Sequence, residues 1–407
     1  MVAGGGTGGV TVFYGEQLNH TNAEVVYVDF SKASMQISQQ RARFRKLKNI
    51  IWIRSWIEGV RYLGIGLFEQ SQCSGVLHHL KSPISGLNIL KDLLTVHGGM
   101  NLMVYAQIGR KAVYQVQQVL KIMKWSNNIG ILKELEIANH TLNALLDDHW
   151  FHVSSKIGDH KHGNIGIYDL LLHKRDIAFT ISSLWQWIAV GGLHFVDFDY
   201  FKTRFRFNIK YYSLDELLRR KILIQPLLKQ WSTSELILGE VTTHGFFVSK
   251  DSSSEAKLSN PSNRFFLCGN PLGFRESFLN PRNRRELDSK NIYLGTLTSL
   301  YLPELSIYNK RQSSAAQNFD VSFAIEINPF SVFLLSSIFK HPHGVVLKSL
   351  YSEFKKIANS TYFSEPKMYE LAHIFYESIK DTGLILLRDA STPSFPKSSS
   401  ATIYSVT

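Results

Sequence analysis

A glycine-rich segment at the start of the chain constrains the fold more than any other feature of the sequence. Glycines stand at positions 4, 5, 6, 8 and 9, and an apolar run that ends in a carboxylate, Val25–Asp29, follows about 20 residues later. Glycine lets the backbone turn sharply and approach a ligand without an intervening Cβ. A glycine turn between strand and helix, with an acid at the tip of the next strand, is typical of sites for nucleotide-type cofactors. The spacing predicts an α/β unit in which the turn and Asp29 share one ligand.

Strands and helices alternate through the first part of the chain. The pattern predicts a helix over 32–48, a strand over 49–53, a leucine-rich helix over 83–94 that Gly98 and Gly99 end, and a strand over 100–105. This alternation predicts a parallel sheet covered by helices on both faces. With 407 residues, 44% of them hydrophobic and 19% charged, the chain is long enough for two domains with a sizeable core.

The composition divides the chain into a main domain, an accessory domain and a tail. We expect the main domain over 1–250, with a helical insertion at 110–190. A serine-rich linker over 251–261 leads to a C-terminal accessory α+β domain over 258–390, whose amphipathic helices are closed by a strand over 384–387. The segment 391–407 reads as a loose tail.

The formal net charge of +12 favours anionic partners, nucleic acid included. The basic residues cluster within 41–48, 204–206, 219–221 and 282–285, but no nucleic-acid-binding motif accompanies them, so solvated surfaces are the favoured interpretation. Cys73 and Cys268 form neither a disulfide framework nor a metal site. Because neither a signal peptide nor a membrane-spanning run is recognisable, we expect a cytoplasmic protein without a membrane partner, with a nuclear location as the alternative.

The segment from Phe68 to Pro83 carries the second informative motif. It reads F-E-Q-S-Q-C-S-G-V-L-H-H-L-K-S-P and precedes the leucine-rich helix and the glycine pair. The glycine turn, Asp29 and the V-L-H-H-L block, in this order and spacing, resemble the class I S-adenosylmethionine-dependent methyltransferases. The resemblance covers residues 1–110 and extends more loosely to 250. It implies a Rossmann-like, doubly wound, seven-stranded sheet and the transfer of a methyl group from S-adenosylmethionine to an O, N or C nucleophile.

The resemblance also implies a set of cofactor-binding residues. Gly4, Gly6 and Gly8 match the glycines that pass beneath the methionine part of S-adenosylmethionine. Asp29 matches the acid that accepts hydrogen bonds from both ribose hydroxyls, and Phe30 lies beside the adenine. The other implied contacts are Ser55, next to Arg54, on the adenine side, and Gln72, Cys73 and Ser74 at the sulfonium end.

The chain departs from the family pattern in several places. Val2 stands where an acid usually precedes the first glycine, and Ser55 replaces the adenine-side acid, or Glu58 carries its role. The first strand has only Met1–Ala3 before the turn, so we expect an N-terminally truncated member. The family's Asn/Asp-Pro-Pro-aromatic motif for base amino groups is absent after the fourth strand, which counts against methylation of an exocyclic base amine.

Candidate acceptor-side residues come from 159–176, where family members insert substrate-binding elements. His160, Tyr168, Asp169 and His173 are able to accept or orient a substrate proton. A metal site formed by His160 and His162 with Asp159 is disfavoured by their spacing, so we expect no metal. We expect His78 and His79 to pack against or cap the following helix rather than take part in catalysis.

The function predicted from the sequence is methyl transfer to an unidentified small molecule or protein. A non-catalytic binding protein with the methyltransferase fold and a nucleic-acid methyltransferase are the alternatives.

Overall fold

The computed structural model describes residues 1–123, 129–154, 156–198, 215–252, 262–267, 344–358, 364–379 and 385–388, with a few single positions between these ranges. The chain divides into two compact units, one formed by 1–199 and 225–252 and the other by 200–224 and 253–407. Most of the predicted linker and the predicted tail over 391–407 lie outside the described residues, as does Cys268.

The first unit contains a seven-stranded sheet with the strand order β3-β2-β1-β4-β5-β7-β6. The first five strands are parallel, and β7 runs antiparallel to both β5 and β6. The predicted doubly wound, seven-stranded α/β architecture is therefore confirmed. The strands are β1 (Val2–Ala3), β2 (Val25–Asp29), β3 (Ile50–Arg54), β4 (Phe68–Ser74), β5 (Leu94–Tyr105), β6 (His194–Phe198) and β7 (Thr243–Ser249).

The order of the parallel strands reverses between β1 and β4, which pair with each other through Val2 and Gln72. In open α/β sheets, ligands bind outside the carboxyl ends of the strands at such a reversal point. The glycine turn follows β1 and the loop beginning with Gly75 follows β4, so both lie at this edge of the sheet.

Helices connect the strands, and polar caps begin several of them. Ser31 and Ser82 each accept a backbone hydrogen bond at a helix N-terminus, and Thr180 forms a capping box with Ser183. The helices of this unit are α1 (Gly9–Leu18), α2 (Lys32–Phe44), α3 (Ile57–Val60), α4 (Pro83–Asp92), α5 (Lys111–Met123), α6 (Ile131–Ala144), α7 (Trp150–Val153), α8 (Asn164–Ile167), α9 (Ile181–Val190) and α11 (Leu227–Leu238). Helix α10 (Glu216–Leu223) precedes α11 in the chain and belongs to the second unit.

The prediction that Gly98 and Gly99 end a helix is wrong. α4 ends at Asp92, and both glycines lie inside β5. The pairing with β4 is irregular here, and a Cβ on Gly98 would lie only 2.9 Å from the Phe68 carbonyl oxygen. Glycine is therefore required by the close approach of two strands and not by the end of a helix.

The region between β5 and β6 is mostly helical and has its own hydrophobic core. Val113 of α5, Ala138 of α6 and Phe151 of α7 are fully buried in it. The segment 159–176, which contains the candidate acceptor-side residues, includes a 3₁₀ turn over Asp159–His162, α8, and a π-helix over Tyr168–Leu172.

The second unit contains an antiparallel sheet with the strand order β10-β8-β9 and two long helices after β9. The terminal strand lies one residue later than predicted. These elements are β8 (Arg264–Leu267), β9 (Val345–Val346), α12 (Leu347–Ala358), α13 (Glu365–Ile379) and β10 (Ile385–Arg388).

Candidate functional site

The glycine turn after β1 has a backbone that only glycine adopts easily. Gly4, Gly6 and Gly8 have φ angles of 70°, 51° and 89°. The amide N–H groups of Gly4 and Gly5 both donate to the Val28 carbonyl oxygen of β2, at 2.8 and 3.0 Å. These bonds attach the turn to the neighbouring strand.

The space around the three positive-φ glycines differs. Val76, in the loop after β4, fills the space that a Cβ on Gly4 would need, and Ser38 of α2 does so for Gly8. Around Gly6, nothing lies within 4 Å of the Cβ position. The turn is therefore packed at both ends and open at its middle, where a ligand is able to approach the backbone.

Asp29, at the end of β2, faces this open part of the turn. Its Oδ2 accepts a hydrogen bond of 2.8 Å from the Gly6 N–H, and its Oδ1 accepts one of 2.8 Å from the Ser31 N–H. The residue is only 8% exposed. Its carboxylate oxygens still have lone pairs for further donors, since each accepts one hydrogen bond from a backbone N–H.

Two aromatic side chains stand next to Asp29. The rings of Phe30 and Trp56 stack at 4.2 Å between centroids with an angle of 6°, and both are more than half exposed. The Arg54 Nε donates to the Phe30 carbonyl oxygen at 3.2 Å. The Ser55 N–H donates to the Asp29 carbonyl oxygen at 3.1 Å, and the Ser55 hydroxyl donates to the Trp56 carbonyl oxygen at 2.9 Å. The predicted adenine-side residues thus form one group beside the carboxylate.

The structure separates the three residues predicted for the sulfonium end. Gln72 and Ser74 project to the same face of β4, and the Gln72 Nε2 donates to the Ser74 Oγ at 2.7 Å. The same Nε2 donates to Asn101 Oδ1 at 3.2 Å, and the Tyr14 hydroxyl donates to the Gln72 Oε1 at 3.3 Å. Cys73 projects to the other face, is fully buried, and has a thiol pKa that burial raises to about 12.

A cluster of aromatic and histidine rings lies beyond the ends of β4 and β5. The rings of His78 and Tyr105 are 3.9 Å apart, those of His78 and His79 are 4.2 Å apart, and those of His79 and His173 are 3.8 Å apart. Burial, followed by the effects of His79 and Arg110, lowers the pKa of His78 to about 2. Burial also lowers the pKa of His79, and it raises that of Tyr105 above its usual range.

A buried ion pair supports this cluster. The Arg110 guanidinium lies 3.6 Å from the centre of the Tyr105 ring, and its Nη2 is 3.3 Å from the Asp176 Oδ2. Tyr114 and Gln117 of α5 also donate to the Asp176 carboxylate, at 3.3 and 3.2 Å. The buried carboxylate thus has several donors, and the segment after the π-helix is joined to α5.

The acceptor-side residues predicted from the sequence have different environments. His173 belongs to the ring cluster, and the charge of Asp169 acts on two of its members. It opposes the lowering of the His79 pKa by burial, and it adds to the burial that raises the pKa of Tyr105. His160 instead packs against Phe151, at 4.9 Å between ring centroids. Tyr168 packs against the core of the helical insertion.

His79, Arg110 and Asp176 also belong to the ring cluster and its supporting ion pair, and they were not among the residues predicted for the acceptor side. His79 was expected to pack against or cap a helix, and in the structure its ring lies against the His173 ring, at 3.8 Å between centroids. The pairing of Arg110 with Asp176 joins residues on either side of the insertion, and no spacing rule indicates such a contact. One feature of the sequence does indicate the ring cluster. His78 and His79 are adjacent and follow the carboxyl end of a parallel strand.

The arrangement suits an adenosyl ligand. The open middle of the glycine turn admits a ligand against the backbone, Asp29 is positioned to accept from hydroxyl groups, and flat apolar rings stand beside it. Among the described residues, no group of three or more His, Cys, Asp and Glu side chains is arranged to hold a metal ion. Across the same ranges, no helix is both long and apolar enough to cross a membrane.

No family model matches the chain. A protein from Synechococcus sp. (strain ATCC 27144 / PCC 6301 / SAUG 1402/1), described as "Uncharacterized protein syc1184_c", is 28% identical over 260 residues. The alignment covers 61% of this chain and 59% of that protein, so the chain matches less than two thirds of its relative's length.

Solved structures resemble the chain over most of its length. PKMT2 from Rickettsia typhi in complex with AdoHcy superposes with a TM-score of 0.58 at 11% identity, covering 95% of this chain and 71% of PKMT2. A second structure of PKMT2 gives a TM-score of 0.57 at 11% identity, with 95% and 70% coverage. The strand order and this similarity together identify the fold of the chain as that of the class I S-adenosylmethionine-dependent methyltransferases.

Proposed function

We propose that the chain binds S-adenosylmethionine and transfers its methyl group to an acceptor. The observation that carries the proposal is the hydrogen bond between the Asp29 carboxylate and the Gly6 N–H, because it brings the acid and the open glycine turn to one place. That place is the point where the strand order reverses, at which this class of fold binds its ligands.

The residues around the turn have separate roles in this proposal. Gly4, Gly6 and Gly8 let the backbone run close beneath the methionine part of S-adenosylmethionine. The N-terminus of α1 favours the carboxylate of that methionine part, because the helix dipole is positive there. Asp29 accepts from the ribose hydroxyls, and Phe30 with Ser55 borders the adenine. Gln72 and Ser74 line the sulfonium end, with Cys73 supporting them from the opposite face of β4.

The sulfonium supplies an already activated methyl group, so the protein has mainly to position the acceptor and exclude water. We assign the acceptor side to the ring cluster at the ends of β4 and β5, in which His173 and Asp169 take part. His160 and Tyr168 stand further into the insertion and are proposed to shape it.

Calorimetric titration of the full chain with S-adenosylhomocysteine tests the cofactor assignment. We expect saturable binding at a single site, weakened in the variant Asp29→Ala. Asp92→Asn, a change of an exposed carboxylate at the end of α4, is the matched control and should bind like the wild type. A folded protein that releases no heat of binding overturns the proposal.

The acceptor is proposed to be a small molecule or a protein. Incubation of cell extract with the chain and S-adenosylmethionine labelled in its methyl group, followed by fractionation, identifies it. Label in nucleic acid would favour the alternative acceptor suggested by exposed basic residues such as Arg43 and Lys48. Binding of S-adenosylhomocysteine without label in any fraction would favour a non-catalytic protein with this fold.

A further inference from the structure

Two histidines from distant parts of the chain share one backbone carbonyl group. The Nδ1 of His79 lies 2.7 Å from the Arg175 carbonyl oxygen, and the Nδ1 of His173 lies 2.6 Å from the same oxygen. The two imidazole rings lie against each other at 3.8 Å between centroids, with their planes inclined at 38°. The loop after β4 and the segment after the π-helix thus hold each other through this contact.

This geometry determines the tautomer of His79. A carbonyl oxygen only accepts hydrogen bonds, so the Nδ1 of His79 must carry the hydrogen. In the neutral ring, the Nε2 then keeps its lone pair and is a base. Burial keeps the ring neutral by lowering the pKa of His79 below its usual 6.5.

The position of His79 connects this base to the cofactor end of the sheet. It ends the 3₁₀ turn Leu77–His79, which follows Val76, and the Val76 side chain fills the space above Gly4 in the glycine turn. His79 therefore lies three residues after Val76, whose side chain contacts the glycine turn. His78 is less suited to meet an acceptor, because its ring is completely buried, whereas His79 is partly exposed.

We propose that His79 is a catalytic base, which takes a proton from an acceptor that carries an N–H or O–H group. The inference rests on the proposed function and deepens it. The acceptor gives its proton to the His79 Nε2, keeps the electron pair of the broken bond and uses it to take the methyl group, while the sulfonium becomes a neutral thioether. His173 acts as a positioning residue, since its ring lies against that of His79 and binds the same carbonyl oxygen.

The tautomer is tested first, by nitrogen NMR of the full chain labelled in its histidine side chains. The variant His79→Gln assigns the resonances by removing one pair. We expect the His79 Nδ1 to be protonated and the Nε2 unprotonated at neutral pH. A protonated Nε2, in either the other tautomer or an imidazolium ion, overturns the proposal without need of an acceptor.

Turnover is tested next, with S-adenosylmethionine labelled in its methyl group and the cell extract that supplies the acceptor. Glutamine cannot act as a base, so His79→Gln should lower incorporation by about 10²- to 10⁴-fold. Its affinity for S-adenosylhomocysteine should be unchanged, and His20→Gln, at an exposed histidine beyond α1, should retain full activity. Wild-type incorporation by His79→Gln overturns the proposal.

Failure of the two proposals can be told apart. If the wild type does not bind S-adenosylhomocysteine, the proposed function fails, and the NMR experiment still reports the tautomer of His79. If the wild type binds the ligand and His79 carries its hydrogen on Nε2, only the assignment of the base fails.

Discussion

Asp29 holds the backbone of Gly6 through a hydrogen bond of 2.8 Å between the Asp29 Oδ2 and the Gly6 N–H. The acid at the tip of β2 therefore stabilises the turn after β1 as well as facing its open middle. A change at Asp29 should affect both the shape of the turn and the binding of a ligand.

Asp29→Asn removes the charge with little change of shape. Hydrogen bonds to charged groups contribute about 1.5–3 kcal/mol, so we expect the Kd for S-adenosylhomocysteine to rise roughly 10- to 150-fold. Calorimetric titration measures the change. An unaltered Kd in a folded Asp29→Asn protein would show that the carboxylate does not bind the ligand.

Gly6→Ala and Gly8→Ala should separate ligand binding from folding. Both impose a positive φ on alanine, at a cost of about 1–2 kcal/mol. At Gly8 the new methyl group also meets Ser38 of α2, which adds about 1–3 kcal/mol of overpacking, whereas at Gly6 it enters open space. We therefore expect Gly8→Ala to lower the free energy of unfolding more, and Gly6→Ala to fold but bind S-adenosylhomocysteine weakly. Urea unfolding and calorimetry check this, and equal loss of stability in the two variants would contradict it.

Glu235 should be essential for the stability of the first unit. Its Oε2 accepts a hydrogen bond of 2.9 Å from the Ile181 N–H at the start of α9, and its Oε1 lies 3.1 Å from the Nε2 of the buried His244. Leaving the buried Ile181 N–H without its acceptor costs about 1–3 kcal/mol, which is the loss expected for Glu235→Ala in urea unfolding. Glu235→Gln keeps an acceptor for Ile181 and should lose less. A loss no greater for alanine than for glutamine would argue against this role.

His78 should make stability depend on pH below neutrality. Its pKa is about 2 in the folded protein against an ordinary 6.5, because it is buried beside His79, Arg110 and His173. Between these values the unfolded chain binds a proton that the folded protein does not, so stability falls as the pH falls. Relative to His78→Leu, the free energy of unfolding of the wild type should fall by about 1.4 kcal/mol per pH unit below pH 6.

Urea unfolding of both proteins between pH 7.5 and 5 measures this difference. Parallel pH profiles for the wild type and His78→Leu would mean that His78 becomes protonated in the folded protein.

The sequence was sufficient to predict the sheet and the contact between the turn and its acid. Glycines that permit a sharp turn and an apolar strand ending in Asp29 are local signals, and both appear in the structure at the predicted positions. The glycine pair at 98–99 was misread because glycine marks helix ends and close strand approaches alike.

The ring cluster at the ends of β4 and β5 was only partly predictable. His173 and Asp169 were singled out because they lie in 159–176, where the resembling family inserts substrate-binding elements. Their neighbours were not singled out, because His79 and His173 stand 94 residues apart and meet only after β4, β5 and the insertion have folded. The periodicity of apolar residues indicates which face of a helix or strand is buried. It does not indicate which distant residues, such as His79 and His173, come into contact. The shared Arg175 carbonyl oxygen is a backbone contact that no side-chain pattern encodes.

The hydrogen bond between Gln72 and Asn101 joins two residues that lie opposite each other on β4 and β5. A one-residue slip between two strands turns every side chain of one strand to the opposite face of the sheet. A slip at this pair would leave two amides without their match in the middle of the sheet. The hydrogen bond between the two amides therefore fixes the register of β4 against β5. It also fixes the relative positions of the segments that follow the two strands, which contain His79 and Arg110.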